Sequence, residues 1–186
     1  MKPCSDARSS VLKGLAIAVT LLLFSSGVQA EISKRDADAL SKASLIYVAT
    51  IRKDGNQSNA APVWFTVGAD NNSVLIQTGP GTWKAKRIKR GSAVLVWISS
   101  ASGLAFIGKA EITSDPAIQN KILDDFHAKY VLNRTMGVGP SRAKFDRGDA
   151  LAIKITPVRD LPDGFASAPG APPPPLDAAA GPSPAQ

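Results

Sequence analysis

The chain has 186 residues, with 22 Lys and Arg against 15 Asp and Glu, and a formal net charge of +7. It holds one cysteine, Cys4, and one histidine, His127. An intrachain disulfide, a multi-cysteine metal site and a multi-histidine metal site are therefore excluded.

Lys2, Arg8 and Lys13 precede an apolar run from Gly14 to Phe24. Val28-Gln29-Ala30 follows as a small-x-small cleavage pattern. Residues 1–30 thus read as a secretory signal peptide, cleaved between Ala30 and Glu31, with a periplasmic or secreted destination. The run is shorter than the roughly 20 residues that span a bilayer, so membrane contact is expected only where the segment stays uncleaved. Cleavage removes three basic groups and one acid, leaving a net charge of +5. It also removes Cys4, so thiolate catalysis is excluded from the mature chain.

Ser33-Lys34-Arg35-Asp36 resembles a capping box and predicts a helix to about Ala43, with Ala37 and Leu40 turned inward. Leu45 to Arg52 is rich in β-branched residues and predicts a strand. Asp54-Gly55 supplies the tight turn of a hairpin. Ser58 to Val67 is the expected second strand, with Pro62 marking an edge, a bulge or a strand start. After Gly68-Ala69-Asp70-Asn71-Asn72, Val74 to Thr78 is the third. Gly79-Pro80-Gly81 then leads into a basic helix, Thr82 to Arg90, capped by Thr82. A hydroxyl and a lysine at a helix start make a place to hold phosphate.

Ala93 to Ser99 predicts a buried strand containing Trp97. Leu104 to Thr113 predicts the next, with Gly108 at a bulge. Asp115-Pro116 opens a helix whose stripe is Ile118, Ile122, Leu123, Phe126 and Tyr130. Val131 to Asp149 reads as irregular, and Ala150 to Thr156 as the last strand. Nine of the fourteen prolines fall in Pro157 to Gln186. Residues 31–161 are accordingly one domain, and 162–186 a disordered Pro/Ala-rich tail. Six short antiparallel strands with short flanking helices predict a mainly β, α+β fold: a small barrel, which hides its edges by closure.

This pattern resembles the pyridoxamine-phosphate-oxidase-like, flavin-binding split β-barrel family over about Ala39 to Pro157. The residues that carry the resemblance are Val48-Ala49-Thr50 with Asp54-Gly55, then Ala61-Pro62-Val63-Trp64-Phe65. Thr78, Thr82 and Lys84 match the family's threonine followed by Ser-x-Lys, and Gly148 to Pro157 matches its terminal strand. The resemblance implies a homodimer with a flavin, FMN or a deazaflavin, at the subunit interface. By position, Ala61, Pro62, Val63, Trp64, Phe65 and Thr66 would line the ring and ribityl chain. Gln77 and Thr78 would meet the ribityl phosphate, and Thr82, Trp83 and Lys84 its phosphate end. The chain departs from the oxidase at Ala61 and Trp83, where arginine is usual, and at Thr66, where lysine is usual. Lys84 is left as the phosphate-side cation, with Arg87 one turn on. Substrate residues of the oxidase itself find no match.

The implied activity is oxidoreduction of a small organic substrate. The alternative is a non-catalytic periplasmic module that binds haem, flavin or another planar ligand, or one that has lost its cofactor. No nucleophile–base pair identifies a catalytic residue, as fits an enzyme whose cofactor carries the chemistry. His127 reads as a surface histidine, with haem ligation as the other option. Trp97 reads as core. Arg134, Arg142, Lys144 and Arg147 are candidates to clamp an anionic substrate, or to solvate a loop. The Lys86–Arg90 charges read as a solvated face, and nucleic acid is not an expected partner.

Overall fold

The computed structural model describes residues 32–136 and 139–175, and no side chains for 132–134. The expected signal peptide therefore lies outside the described residues, as does the side chain of Arg134. No described helix is long and apolar enough to cross a membrane.

Helix α1 (Lys34–Lys42) starts where the Ser33 side chain accepts from the Asp36 amide. It buries Asp36 and Leu40, while Ala37, expected inward, is exposed. Seven strands follow: β1 (Ile46–Thr50), β2 (Ala61–Val63), β3 (Phe65–Val67), β4 (Val74–Thr78), β5 (Val94–Ile98), β6 (Ala105–Thr113) and β7 (Leu151–Asp160). They form one antiparallel sheet in the order β2-β1-β5-β6-β7-β4-β3. Its two end strands, β2 and β3, are consecutive in the chain, so the sheet curls until they meet around Trp64. This is a barrel with one seam.

The seam explains why six strands were expected and seven occur. Ser58 to Val67 reads as one apolar run, but its halves have different partners. β2 pairs with β1 through Ile46↔Val63 and Val48↔Ala61. β3 pairs with β4 through Phe65↔Ile76 and Val67↔Val74. Pro62 sits on the sheet-end strand β2, where its missing N–H costs no ladder bond.

The glycine expected to mark a bulge does so: the β6–β7 register shifts between Ile107 and Gly108. A Cβ on Gly108 would lie 2.9 Å from Ile155 Cγ2 and 3.0 Å from the Thr156 carbonyl, so only glycine fits without movement. The bulge also admits Pro157 opposite Gly108.

The barrel interior holds Ile46, Val48, Phe65, Val94, Val96, Phe106 and Ile153. Helix α3 (Pro116–Lys129), with Asp115 capping the Ala117 amide at 2.8 Å, covers one flank through Ile122 and Phe126. Tyr130 packs beside them. The stretch expected to be irregular contains two short helices, α4 (Val131–Met136) and α5 (Arg142–Asp146).

β5 is buried on every residue because its outer face is also covered. Leu95 and Trp97 point there, beneath Leu161 and Phe165. Phe165 stacks on Trp97 at 6.2 Å between centroids, and the Trp97 Nε1–H donates to the Phe165 carbonyl at 2.7 Å. Gln57 and residues 170–171 exchange backbone bonds of 2.8 and 3.0 Å. The first part of the stretch expected as a disordered tail, up to Pro175, is thus laid along the barrel. One aromatic anchor outweighs the Pro/Ala composition there.

Candidate cofactor site

The short helix α2 (Trp83–Lys89) hangs between the β1–β2 hairpin and β6. Thr82 caps it, accepting from the Ala85 amide at 3.2 Å and donating to the Gly79 carbonyl at 2.9 Å. Its proton being committed, Thr78 is the donor of the 3.1 Å Thr78–Thr82 hydroxyl pair. Gly79 and Gly81 give α2 its sharp entry, and Ala85 and Ile88 press it on the barrel. That docking half-buries Lys84.

Lys84 faces a cleft of about 280 Å³ with Thr50, Ser58, Ala61, Trp83 and Arg87. Burial alone pushes its ammonium down to about 8 from 10.5, and no carboxylate among the described residues offsets it. A buried cation without a counter-charge is costly unless an anion completes the site. The neighbouring Arg87 is held in place. Its guanidinium donates to Thr50 Oγ1 at 3.1 Å, which pairs with Ser58 Oγ at 3.3 Å. Ser58 Oγ in turn accepts from the Thr50 amide at 3.0 Å and donates to the Asn59 carbonyl. The chain of bonds fixes one cation beside the cleft, while the Lys84 ammonium makes no ion pair among the described residues.

The residues expected in the site are divided among four places. Ala61, Trp83 and Lys84 share the Lys84 cleft. Pro62, Val63, Trp64 and Gln77 line a second groove of about 560 Å³ with Leu45 and Lys144. Consecutive residues of β2 therefore serve both concavities. Phe65 is fully buried in the barrel core, and the Thr66 hydroxyl donates to Asp125, so neither side chain lines either concavity. Thr78 and Thr82 bond to each other at the mouth of α2.

Trp64 is fixed at the seam by Tyr130. The rings stack at 4.6 Å and 10°. The Tyr130 hydroxyl accepts from the Phe65 amide at 3.0 Å and lies 3.0 Å from the carbonyls of Ser44 and Phe65. Burial raises the pKa of this phenol, so it stays a neutral donor. Tyr130 was legible as an apolar stripe residue, but not as the peg that holds the strand crossover.

Of the loop cations, Lys144 reaches the second groove, its Nζ donating to the Gly139 carbonyl at 2.6 Å. Arg142 instead turns to Gln119 and Asn120, and Arg147 pairs with Asp149 at 2.8 Å. His127 is exposed on α3. No cluster of three or more His, Cys, Asp or Glu suited to a metal occurs among the described residues.

No curated protein matches the chain. Solved structures do match in fold. A candidate pyridoxamine 5'-phosphate oxidase from Listeria innocua is 18% identical, covers 68% of this chain and 94% of its own, and superposes with a TM-score of 0.51. A conserved hypothetical protein from Mycobacterium tuberculosis is 17% identical over 76% and 96%, with a TM-score of 0.52. An FAD- and haem-binding protein from Mycobacterium smegmatis is 19% identical over 82% and 91%, with a TM-score of 0.48. The model of the pyridoxamine 5'-phosphate oxidase family matches residues 32–161. The antiparallel barrel with its seam at Trp64 and this match together place the chain in the pyridoxamine 5'-phosphate oxidase family, whose members bind flavins.

Proposed function

We propose that this is an exported, homodimeric flavoprotein that binds FMN or a deazaflavin by its phosphate and acts as an oxidoreductase on a small organic substrate. The observation that carries this is Lys84: a half-buried ammonium facing a cleft, with no carboxylate partner among the described residues. A phosphate supplies the missing charge, and Arg87, held by Thr50, lies beside it.

The ring end is only half built in one protomer. The Lys84 cleft, about 280 Å³, lies below the range of about 300–1,000 Å³ usual for ligand pockets. A second copy packed over β2 would close it, as the family resemblance implies. The flavin, once bound, supplies the hydride chemistry. This chain's residues neutralise the phosphate, orient the ring beside β2 and keep water from it. Export rests on the basic, apolar and small-x-small segments of residues 1–30.

The rival is a binding module without catalysis. A haem version gains no support, because His127 is exposed and lines neither cavity. Titrating the purified protein with FMN and riboflavin tests the phosphate assignment. Tight FMN and weak riboflavin binding is expected; equal affinities would refute it. Reduction of the bound flavin by nicotinamide donors then separates the enzyme from the module.

A further inference from the structure

Next to the Lys84 cleft lies a second basic groove of about 510 Å³. The two share Arg52, Trp83 and Arg87, so they are contiguous. The cations of this groove come from two elements far apart in sequence. Arg52 and Lys53 belong to the β1–β2 hairpin, and Lys86, Arg87 and Arg90 to the end of α2. Arg90 reaches back to the Ile51 carbonyl at 3.2 Å, which ties the two together.

The lining holds one carboxylate, Asp54, which already accepts from the Asn56 amide at 3.0 Å. Arg52, Lys53 and Lys86 form no ion pair among the described residues. Between the two concavities stands Trp83, 70% exposed. Aromatic rings of this size normally bury most of their area. Here the indole stays open with two cations near its face: Lys86 Nζ lies 4.9 Å and Arg87 Cζ 5.8 Å from its centroid.

An exposed indole beside convergent cations, continuing from a phosphate cleft, fits a ligand with further phosphate and a second aromatic ring. We infer that this groove takes the second phosphate and the adenosine of a flavin dinucleotide. The inference rests on the flavin reading above and extends it: the first phosphate sits on Lys84, and the tail runs on past Trp83 between the hairpin and α2. Adenine stacks on the indole, as bases do on exposed aromatics. The solvated-face reading of Lys86 and Arg90 gives way to a binding one.

The test is calorimetric titration of the purified protein, freed of cofactor, with riboflavin, FMN, FAD and AMP. FAD should bind about tenfold more tightly than FMN, the stack of adenine on the indole adding to the affinity. AMP, which carries only the second phosphate and the adenosine, should compete with FAD but leave FMN bound. The double variant Lys53→Ala/Lys86→Ala removes two cations that make no hydrogen bond within the described residues, so its fold should stand. It should bring FAD down to the affinity of FMN and leave FMN unchanged. Equal FAD and FMN affinities in the unaltered protein would overturn the inference while sparing the flavin reading. So would an FAD advantage that survives in the variant. Failure of every flavin to bind would remove both.

Discussion

Replacing Lys84 by methionine keeps most of the apolar stem and deletes the charge. Two opposite effects follow. In the ligand-free protein the folded ammonium titrates near 8 and the unfolded one near 10.5. Below pH 8 the side chain is charged in both states, and the folded state carries the full desolvation cost. At about 1.4 kcal/mol per pKa unit this cost is about 3 kcal/mol. As pH rises through 8 the folded chain releases the proton, the cost shrinks, and above 10.5 it is gone. Ligand-free Lys84→Met should therefore be more stable at pH 7, by up to about 3 kcal/mol or roughly 6–12 °C in Tm. The gain should fade between pH 8 and 10.5. In the liganded protein the sign reverses. A charge-assisted bond to phosphate contributes about 1.5–3 kcal/mol, so FMN affinity should drop about 10- to 100-fold while riboflavin affinity stays. Thermal melts with and without FMN, at pH 7 and pH 10, read both effects. A variant that is less stable without ligand and binds FMN unchanged would mean that Lys84 is neither strained by burial nor bound to the phosphate.

Asp36 is the second buried charge. Burial first, and Asp160 beside it, raise its pKa to about 6 from 3.8. The folded chain holds a proton that the unfolded chain gives up, so stability falls as pH rises from about 4 to 6 and stays lower above. Asp36→Asn should stabilise by about 2–3 kcal/mol at pH 8 and by little at pH 4; an equal change at both pH values would contradict this. Tyr130→Phe leaves the buried Phe65 amide without its 3.0 Å acceptor at the seam. It should cost about 1–3 kcal/mol in denaturant unfolding and loosen FMN binding through Trp64; unchanged stability would show that the seam does not depend on this hydroxyl. Phe165→Ala removes the half-buried ring over Trp97. A loss of about 1–2 kcal/mol, with faster proteolysis after Leu161, is expected; no change in either would mean that the segment is not docked in solution.

Much of the barrel could be read from local chemistry. β4 begins and ends where its β-branched run does, the Asp54-Gly55 turn closes the first hairpin, and Gly108 marks the bulge. The seam could not be read, because nothing local distinguishes Val63 from Phe65. The break at Trp64 follows from closure, when one run must serve two partners at opposite ends of a sheet. Helices α4 and α5 are six and five residues long, too short to show a period. The docked Phe165 was hidden in proline-rich sequence whose composition argued the other way. Lys84 was visible from its spacing to Thr78 and Thr82. The Arg87–Thr50 bond that braces the cleft joins residues brought together only by the pairing of β1 with β5 and the docking of α2.

The absorption spectrum of the mature protein, purified from its own compartment and then challenged with FMN, decides whether the barrel holds a flavin. A two-banded oxidised-flavin spectrum, present at isolation or restored by FMN but not by riboflavin, is the predicted result. A colourless protein that takes up no flavin, or a Soret band in its place, would contradict it.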